Sequence, residues 1–474
     1  VDYLVFGLSL VFTAGVGLFL SFYKRKNSSS EELLLASRSM HFLPVCLSLI
    51  ASLVNASLIL GVPAEIYFFG AAALPIAIAY NFVGPVAALV IVPTFYNMKL
   101  TSAYEYLERR YNYAVRIVGS IIFGVSLVSI QSLNLILTLF IYAVTSLSLP
   151  VAVGVTGGIC TIYTMLGGIK AVIWTDTIQM VIMITGLIVL AGVGSSKVGG
   201  FGAVWQIAKD YNRVSFFEWN LDPRIRNTVW SAFFGQWVNY IGICFSNQMM
   251  IQRYLTVSKV RDAQLAVFLM MFFASILIVS VAILGWIAFA YYECDPLLQK
   301  RMTKGDQIVP ILLMEILGDQ AGVPGLIIAS IFAAALSSVS SAVNSLAAVT
   351  LEDFIKPMHL KLYKRKLNEK MGTRLTIGFA FMFGAITIGI SFAAQYMGDK
   401  LIEMTISVWS IFGGPVAGVF IMGFFFPWVN SAGALSGMLI SLLLSLWLCI
   451  GGLMYKPPTP ILPLRMGNMT HTIP

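Results

Sequence analysis

The chain predicts an all-α polytopic membrane protein, and three observations carry that prediction. Of its 474 residues, 58% are hydrophobic and 11% charged, where soluble proteins carry about 25% charged residues. Mean hydropathy is +0.86. Twelve apolar stretches follow one another at 3–22, 42–69, 71–95, 114–144, 149–167, 172–194, 230–251, 264–292, 323–349, 374–395, 401–426 and 432–454, each near the roughly 20 residues that cross a bilayer as a helix. The expectation is one membrane-embedded unit, 1–474, rather than a string of soluble domains.

Taken in order, the first stretch is longer than a signal-peptide core and lacks a small-residue cleavage motif, so it reads as a retained span. The second contains Asn55, Ser57 and Pro63. Proline removes a backbone donor and disfavours helix just before it, so this span is expected to be interrupted, leaving carbonyls free to bind an ion. After span three, Ser102 and Glu105 have capping-box spacing and Glu105 pairs with Arg109 at i,i+4. These predict a short helix along the inner membrane surface, a connector rather than a site.

Few acidic residues lie in or at the ends of spans: Glu65, Asp176 and Glu403. Asp176 stands near the mouth of span six, with Gln179 one turn further on the same face. It is either an intramembrane functional group or a carboxylate that favours the start of its helix. Span seven, with Gly235, Asn239, Gly242, Ser246, Asn247 and Gln248, is polar and glycine-punctuated. Spans two and seven occupy corresponding places in two five-span sets, 42–194 and 230–426, which fits an inverted repeat of the kind that frames secondary-transporter sites. Span nine runs apolar from Gly325 and then gathers Ser337, Ser338, Ser340, Ser341 and Asn344 in its second half. Hydrocarbon offers these groups no water, so they need partners inside the protein. They either present oxygens to a hard, weakly bound cation such as Na+ or let two helices pack closely.

The basic residues set an orientation. With the N-terminus outside, nineteen of the thirty Lys and Arg fall in inside connections or at span ends there, among them Arg253, and no Lys or Arg stands in the body of a span. The rest lie mostly in the two long connections 195–229 and 293–322, where the positive-inside rule is weak. The formal net charge of +9 therefore suits the lipid bilayer surface and not nucleic acid. Asn468-Met469-Thr470 is an N-glycosylation sequon on the outer side. The five cysteines are scattered without metal or disulfide spacing, and no nucleophile–histidine–acid set is present, which argues against an enzyme.

Several runs resemble the sodium/solute symporter family, closest to its branch of multivitamin, monocarboxylate and iodide cotransporters. They are Leu60-Gly61-Val62-Pro63-Ala64-Glu65-Ile66-Tyr67, Ser102-Ala103-Tyr104-Glu105-Tyr106-Leu107-Glu108-Arg109-Arg110, Tyr163 through Asp176, Gln252-Arg253-Tyr254-Leu255, Asn344 through Asp353 and Gly413-Gly414-Pro415. The resemblance covers about 30–455. It implies a LeuT-type core of ten helices working by alternating access, and a thirteenth span beyond the twelve counted. It also implies a sodium site between spans two and nine, formed by the carbonyls of Ala51, Val54 and Ala334 and the hydroxyls of Ser337 and Ser338. The Asp176 position, with Ser52 and Gln179, is tied in some members to sodium exit or an extra ion.

There are departures. Anion-carrying relatives have arginine where this chain has Phe68, which leaves that end of span two without a fixed positive charge. Leu58 and Ile243 replace a glutamine and an aromatic gate of sugar carriers. Asn55, Leu58 and Leu135 replace polar positions linked to a second sodium. The expected function is a plasma-membrane symporter that couples Na+ to a small organic solute, such as a monocarboxylate or vitamin-like acid. Asn55, Ser57, Asn239 and Ser407 are its depth-based solute pocket, with interhelical hydrogen bonding the alternative for the last two. A transport-dead sensor and a sodium-coupled inorganic anion transporter are the rival functions.

Overall fold

The computed structural model describes residues 1–22, 30–137, 149–222, 224–299, 301–302, 305–318, 320–394, 401–455 and 461–465. Among these all regular secondary structure is helical, apart from one isolated bridge between Met40 and Val257. In order, α1 spans Asp2–Phe22, α2 Ser30–Leu35, α3 Phe42–Leu53, α4 Ala56–Phe69, α5 Pro75–Val86 and α6 Val92–Asn97. Next come α7 Glu105–Arg110, α8 Tyr113–Leu137, α9 Leu149–Lys197 and α10 Phe201–Asp210. Then follow α11 Gln236–Ser246, α12 Gln248–Tyr254, α13 Val260–Tyr291, α14 Ile308–Leu317 and α15 Val323–Val349. The last are α16 Lys356–Tyr363, α17 Glu369–Ala394, α18 Leu401–Phe425 and α19 Ser431–Tyr455.

Every expected apolar stretch coincides with helix, although 138–144 of the fourth and 395 of the tenth lie outside the described residues. Among the described residues, eight helices are by themselves long and apolar enough to cross a membrane, and nine when the bent pair α3–α4 counts as one. Span one has a shorter apolar helix, Leu4–Leu20. Spans five and six are joined in α9, which turns at Gly168 with φ +59°. A Cβ there would stand 2.5 Å from the Leu33 carbonyl oxygen, so glycine is required both by the backbone conformation and by the close approach of α2.

Helix α15 is the axis of the molecule. It is buried almost from end to end, because its small residues let α3 and α9 approach closely. By contrast α19 leaves Leu443, Trp447 and Leu448 exposed, the surface expected against lipid. Connections gather at two ends. At one, Arg116 binds Asp353 and Glu108, and Arg110 donates to carbonyls of Gly423, Phe426, Pro427 and Val429. At the other, Arg226 pairs with Glu65, and Asp2 accepts the Gly322 N–H.

Of two local expectations, one is met and one corrected. Span two does break as expected, at Val54–Asn55, while Pro63 lies inside α4. Asn55 takes an extended backbone, and its Oδ1 accepts the Leu58 N–H at 3.0 Å, offering the chain a capped new start. The Ser102–Glu105 capping box does not form. The Ser102 hydroxyl instead donates to Asp353 at 2.8 Å, and α7 starts without a side-chain cap. The Glu105–Arg109 pair does form, at 2.5 Å.

Candidate ion and solute sites at the broken helices

Two spans are interrupted in the same manner. The α3–α4 pair bends by 55° at its break. The α11–α12 pair is interrupted at Asn247, whose backbone is extended and whose Oδ1 accepts the Met249 N–H at 2.9 Å. In both, an asparagine side chain competes for the backbone donor that would have continued the helix.

At the end of α3, Val54 leaves helical geometry with φ −87° and ψ 82°. Here α15 presses its serine face against the break. The Ser337 hydroxyl reaches the Ala51 carbonyl at 2.9 Å and the Ala334 carbonyl at 3.0 Å. Ser338 reaches the Ala334 carbonyl at 3.1 Å. Ala51, Ala334, Ser337 and Ser338 thus share one hydrogen-bonded cluster, with buried Val54 closing the α3 side. Every oxygen in the cluster is neutral. Each hydroxyl keeps acceptor lone pairs and can turn its hydrogen away, so carbonyl and hydroxyl oxygens could together hold a hard monovalent cation.

A second cluster lies one turn further along α15, towards its C-terminal end. Asp176 Oδ2 accepts from the Ser48 hydroxyl at 2.7 Å and from Arg253 Nη2 at 2.9 Å. Arg253 Nε donates to the Ser48 hydroxyl at 2.7 Å, Nη1 to the Met249 carbonyl at 2.8 Å, and Nη2 also to the Ser341 hydroxyl. Ser340 stands 3.5 Å from Asp176 Oδ1. Ser52 donates to the Ser48 carbonyl at 2.8 Å and lies 3.5 Å from Ser341. Asp176 is therefore no exposed helix-start carboxylate. Both it and Arg253 are 0% exposed, which corrects the reading of Arg253 as a connection residue at the membrane surface. Buried charges need partners of this kind. Gln179 is buried too, but its amide nitrogen and oxygen have no partner.

The two clusters touch. Ser340 and Ser341 both donate to the Ser337 carbonyl, and Ser337 is the residue whose hydroxyl spans α3 and α15. Ser48 and Arg253 were not singled out in the sequence as site residues.

The expected solute pocket divides. Ser57 donates to Asn134 Oδ1 of α8 at 2.5 Å, beside the break. Asn134 Nδ2 and Gln131 Oε1 are buried without partners, and their i,i+3 spacing puts them on one face. Asn55 is nearby but spends its oxygen on the helix cap. Asn239 instead accepts from Trp409 Nε1 at 3.1 Å and donates to Gln236 at 3.2 Å, so its visible work is to tie α11 to α18, where Ser407 also lies. Asn468 falls outside the described residues. At Phe68, the expected lack of a positive charge is corrected, because Arg213 enters from another connection and donates to the Tyr67 carbonyl. Burial lowers the Arg213 guanidinium to about 10, so it remains charged at neutral pH.

Two interrupted spans, with neutral oxygens at one break and partnerless buried amide atoms beside it, define a secondary transporter of the LeuT-type fold. The sodium:solute symporter family model matches residues 33–441. The rabbit (Oryctolagus cuniculus) sodium-dependent multivitamin transporter is 37% identical, covering 100% of this chain and 74% of that protein. The human (Homo sapiens) sodium-coupled monocarboxylate transporter 2 is 36% identical, covering 100% of this chain and 77% of that protein. A solved Na+-coupled sialic acid symporter in a substrate-bound outward-open state superposes with TM-score 0.84 at 23% identity, over 93% of this chain and 90% of that one. The chain belongs to the sodium:solute symporter family, and Na+ is the ion it couples to solute movement.

Proposed function

We propose that this protein imports a small organic solute across the plasma membrane by alternating access, drawing one or more Na+ down their gradient. A monocarboxylate or vitamin-like acid is the solute class that the similarity to the multivitamin and monocarboxylate transporters favours. The N-terminus is outside, as the basic connections suggest, and the segments 42–194 and 230–426 are the two inverted repeats. The matching asparagine caps at Asn55 and Asn247 support that symmetry. The membrane potential contributes about 2.3 kcal/mol per charge per 100 mV.

The observation that carries this reading is the Ser337 hydroxyl bridging the Ala51 and Ala334 carbonyls. Ala51, Val54, Ala334, Ser337 and Ser338 form the sodium site, and a bound ion holds the broken span against α15. Asp176, with Ser52 and Ser341, receives the ion on its way out. The solute lies against Ser57, Asn134 and Gln131, with Asn55 at the break. The absence of a carboxylate among the five sodium ligands keeps binding weak enough for release.

Replacing external Na+ by choline should abolish solute accumulation. The double variant Ser337→Ala, Ser338→Ala should raise the Na+ concentration for half-maximal uptake about tenfold, from two lost interactions of about 1 kcal/mol each, only part of which is felt in binding. Unchanged sodium dependence at normal surface expression refutes the site.

A further inference from the structure

The end of the bundle farthest from the Arg116–Asp353 network carries a closure that neither site uses. The last turn of α4 leaves carbonyls that its own helix cannot satisfy. Two residues distant in the chain supply the donors. Arg213 donates through Nη1 to the Tyr67 carbonyl and through Nη2 to the Pro463 carbonyl at 2.9 Å. The Leu462 N–H donates to the Phe68 carbonyl at 3.0 Å. The Arg213 guanidinium carbon lies 3.8 Å from the centre of the Phe289 ring, and its backbone carbonyl accepts from the Ala71 N–H and from Trp286 Nε1. Tyr67 donates its hydroxyl to Asp295 at 2.6 Å, and the Asp295 N–H donates to the Arg465 carbonyl. Arg465 Nη1 returns to the Ala290 carbonyl at the end of α13 at 2.9 Å.

The segment 461–465 is thereby laid across the ends of α4 and α13 and seals them. Arg213 and Asp295 are 0% exposed and Tyr67 is 1% exposed. Gly70 fits the same arrangement. It has φ +78°, a backbone conformation that favours glycine, and a Cβ there would stand 3.1 Å from the Leu462 side chain and 3.4 Å from Arg213 Cα, pressing on the strap.

We propose that Arg213 is a positioning residue of the transport cycle, latching segment 461–465 as a strap that keeps the outward end of α4 closed to water. The proposal rests on the alternating-access reading and on this end facing outside. Opening the outward path then requires the Arg213 and Leu462 hydrogen bonds to release, and the stability of the strap sets how much of the protein faces outward at rest. One hydrogen bond of ordinary strength, about 1 kcal/mol, suffices to bias such an equilibrium about threefold to tenfold.

The test uses the full chain with Cys294→Ser and a reporter, Ala64→Cys. Ala64 is buried one turn below Tyr67 and Phe68 on the same helix face. A membrane-impermeant thiol reagent is applied from outside. Arg213→Met and Leu462→Pro, the latter removing the N–H donor together with the leucine side chain at Gly70, should each label about threefold to tenfold faster than the parent. Both should also lower the external Na+ needed for half-maximal uptake, and Arg213→Lys should restore part of the difference. Unchanged labelling in both variants at normal surface level overturns the proposal. So does retention of both inside the cell, which would make the strap purely structural. If Arg213→Met alone is retained, Leu462→Pro decides. The labelling needs neither a known solute nor sodium coupling, so a failed choline experiment would sink the transport reading and leave this result standing.

Discussion

Two neighbouring clusters along α15 solve the problem of buried polarity in opposite ways. Around Ser337 and Ser338, all the groups are neutral carbonyls and hydroxyls. Around Asp176, a full negative charge is met by a full positive one, with Ser48, Ser340 and Ser341 filling the remaining positions. The neutral cluster loses little when its guest leaves, because the hydroxyls can turn back onto the carbonyls they touch here. The charged cluster cannot empty in that way. If Arg253 withdraws, the carboxylate is left bare and becomes an attractive place for a passing cation. The comparison teaches that capture and release can be divided between adjacent sites, with the serines at 340 and 341 as the mechanical joint.

The largest way to break this contrast is Arg253→Met. It strands Asp176 in a dry interior, and removing one partner of a buried ion pair costs about 3–5 kcal/mol. The expected outcome is a strong loss of folded, surface-delivered protein, read by surface biotinylation and by thermal unfolding in detergent. The double variant Arg253→Met, Asp176→Asn should recover most of that folding, since no net charge is then left unpaired. Failure of the second change to rescue the first would mean that Arg253 matters through its Met249 and Ser341 contacts instead.

Asp176→Asn alone sharpens the contrast on the functional side. It weakens charge-assisted hydrogen bonds worth about 1.5–3 kcal/mol each, and turnover should fall about tenfold while solute affinity changes less. Pre-loaded sodium efflux from proteoliposomes separates the two. Equal losses in both would return Asp176 to a purely structural role. The smallest expected effect is at the solute face. Asn134→Ala should raise the solute concentration for half-maximal uptake about fivefold, from one lost hydrogen bond of about 1 kcal/mol, and leave the sodium dependence unchanged.

Much of the architecture could be read from residue order. Apolar length alone located the spans, because a helix in lipid must satisfy its own backbone, and the serine run of α15 was conspicuous for the same reason. The residue at which span two breaks is not marked by its strongest local signal. Pro63 has the stronger local signature, yet a membrane helix can absorb a proline, whereas Asn55 offers a competing acceptor at the point where the chain turns. Arg253 was misread because its neighbours in sequence are basic and loop-like. Its burial follows only from the meeting of α3, α9, α12 and α15, which no local pattern encodes. Arg213 escaped notice for a similar reason, since the carbonyls it serves lie at residues 67 and 463. Gln131 and Asn134 sit in a span that also carries several serines, and only the buried, partnerless Gln131 Oε1 and Asn134 Nδ2 set them apart.

The uncharged asparagine at residue 55 has an electrical consequence. Because the bend is closed by an amide, nothing cancels the half-charges of the two helix ends that face each other across it. The carboxyl end of α3 is negative and the amino end of α4 is positive. A single kink therefore presents opposite polarities within a few residues, one inviting a cation and the other an acid's carboxylate. Coupling between the two passengers would then begin as simple attraction across a hinge.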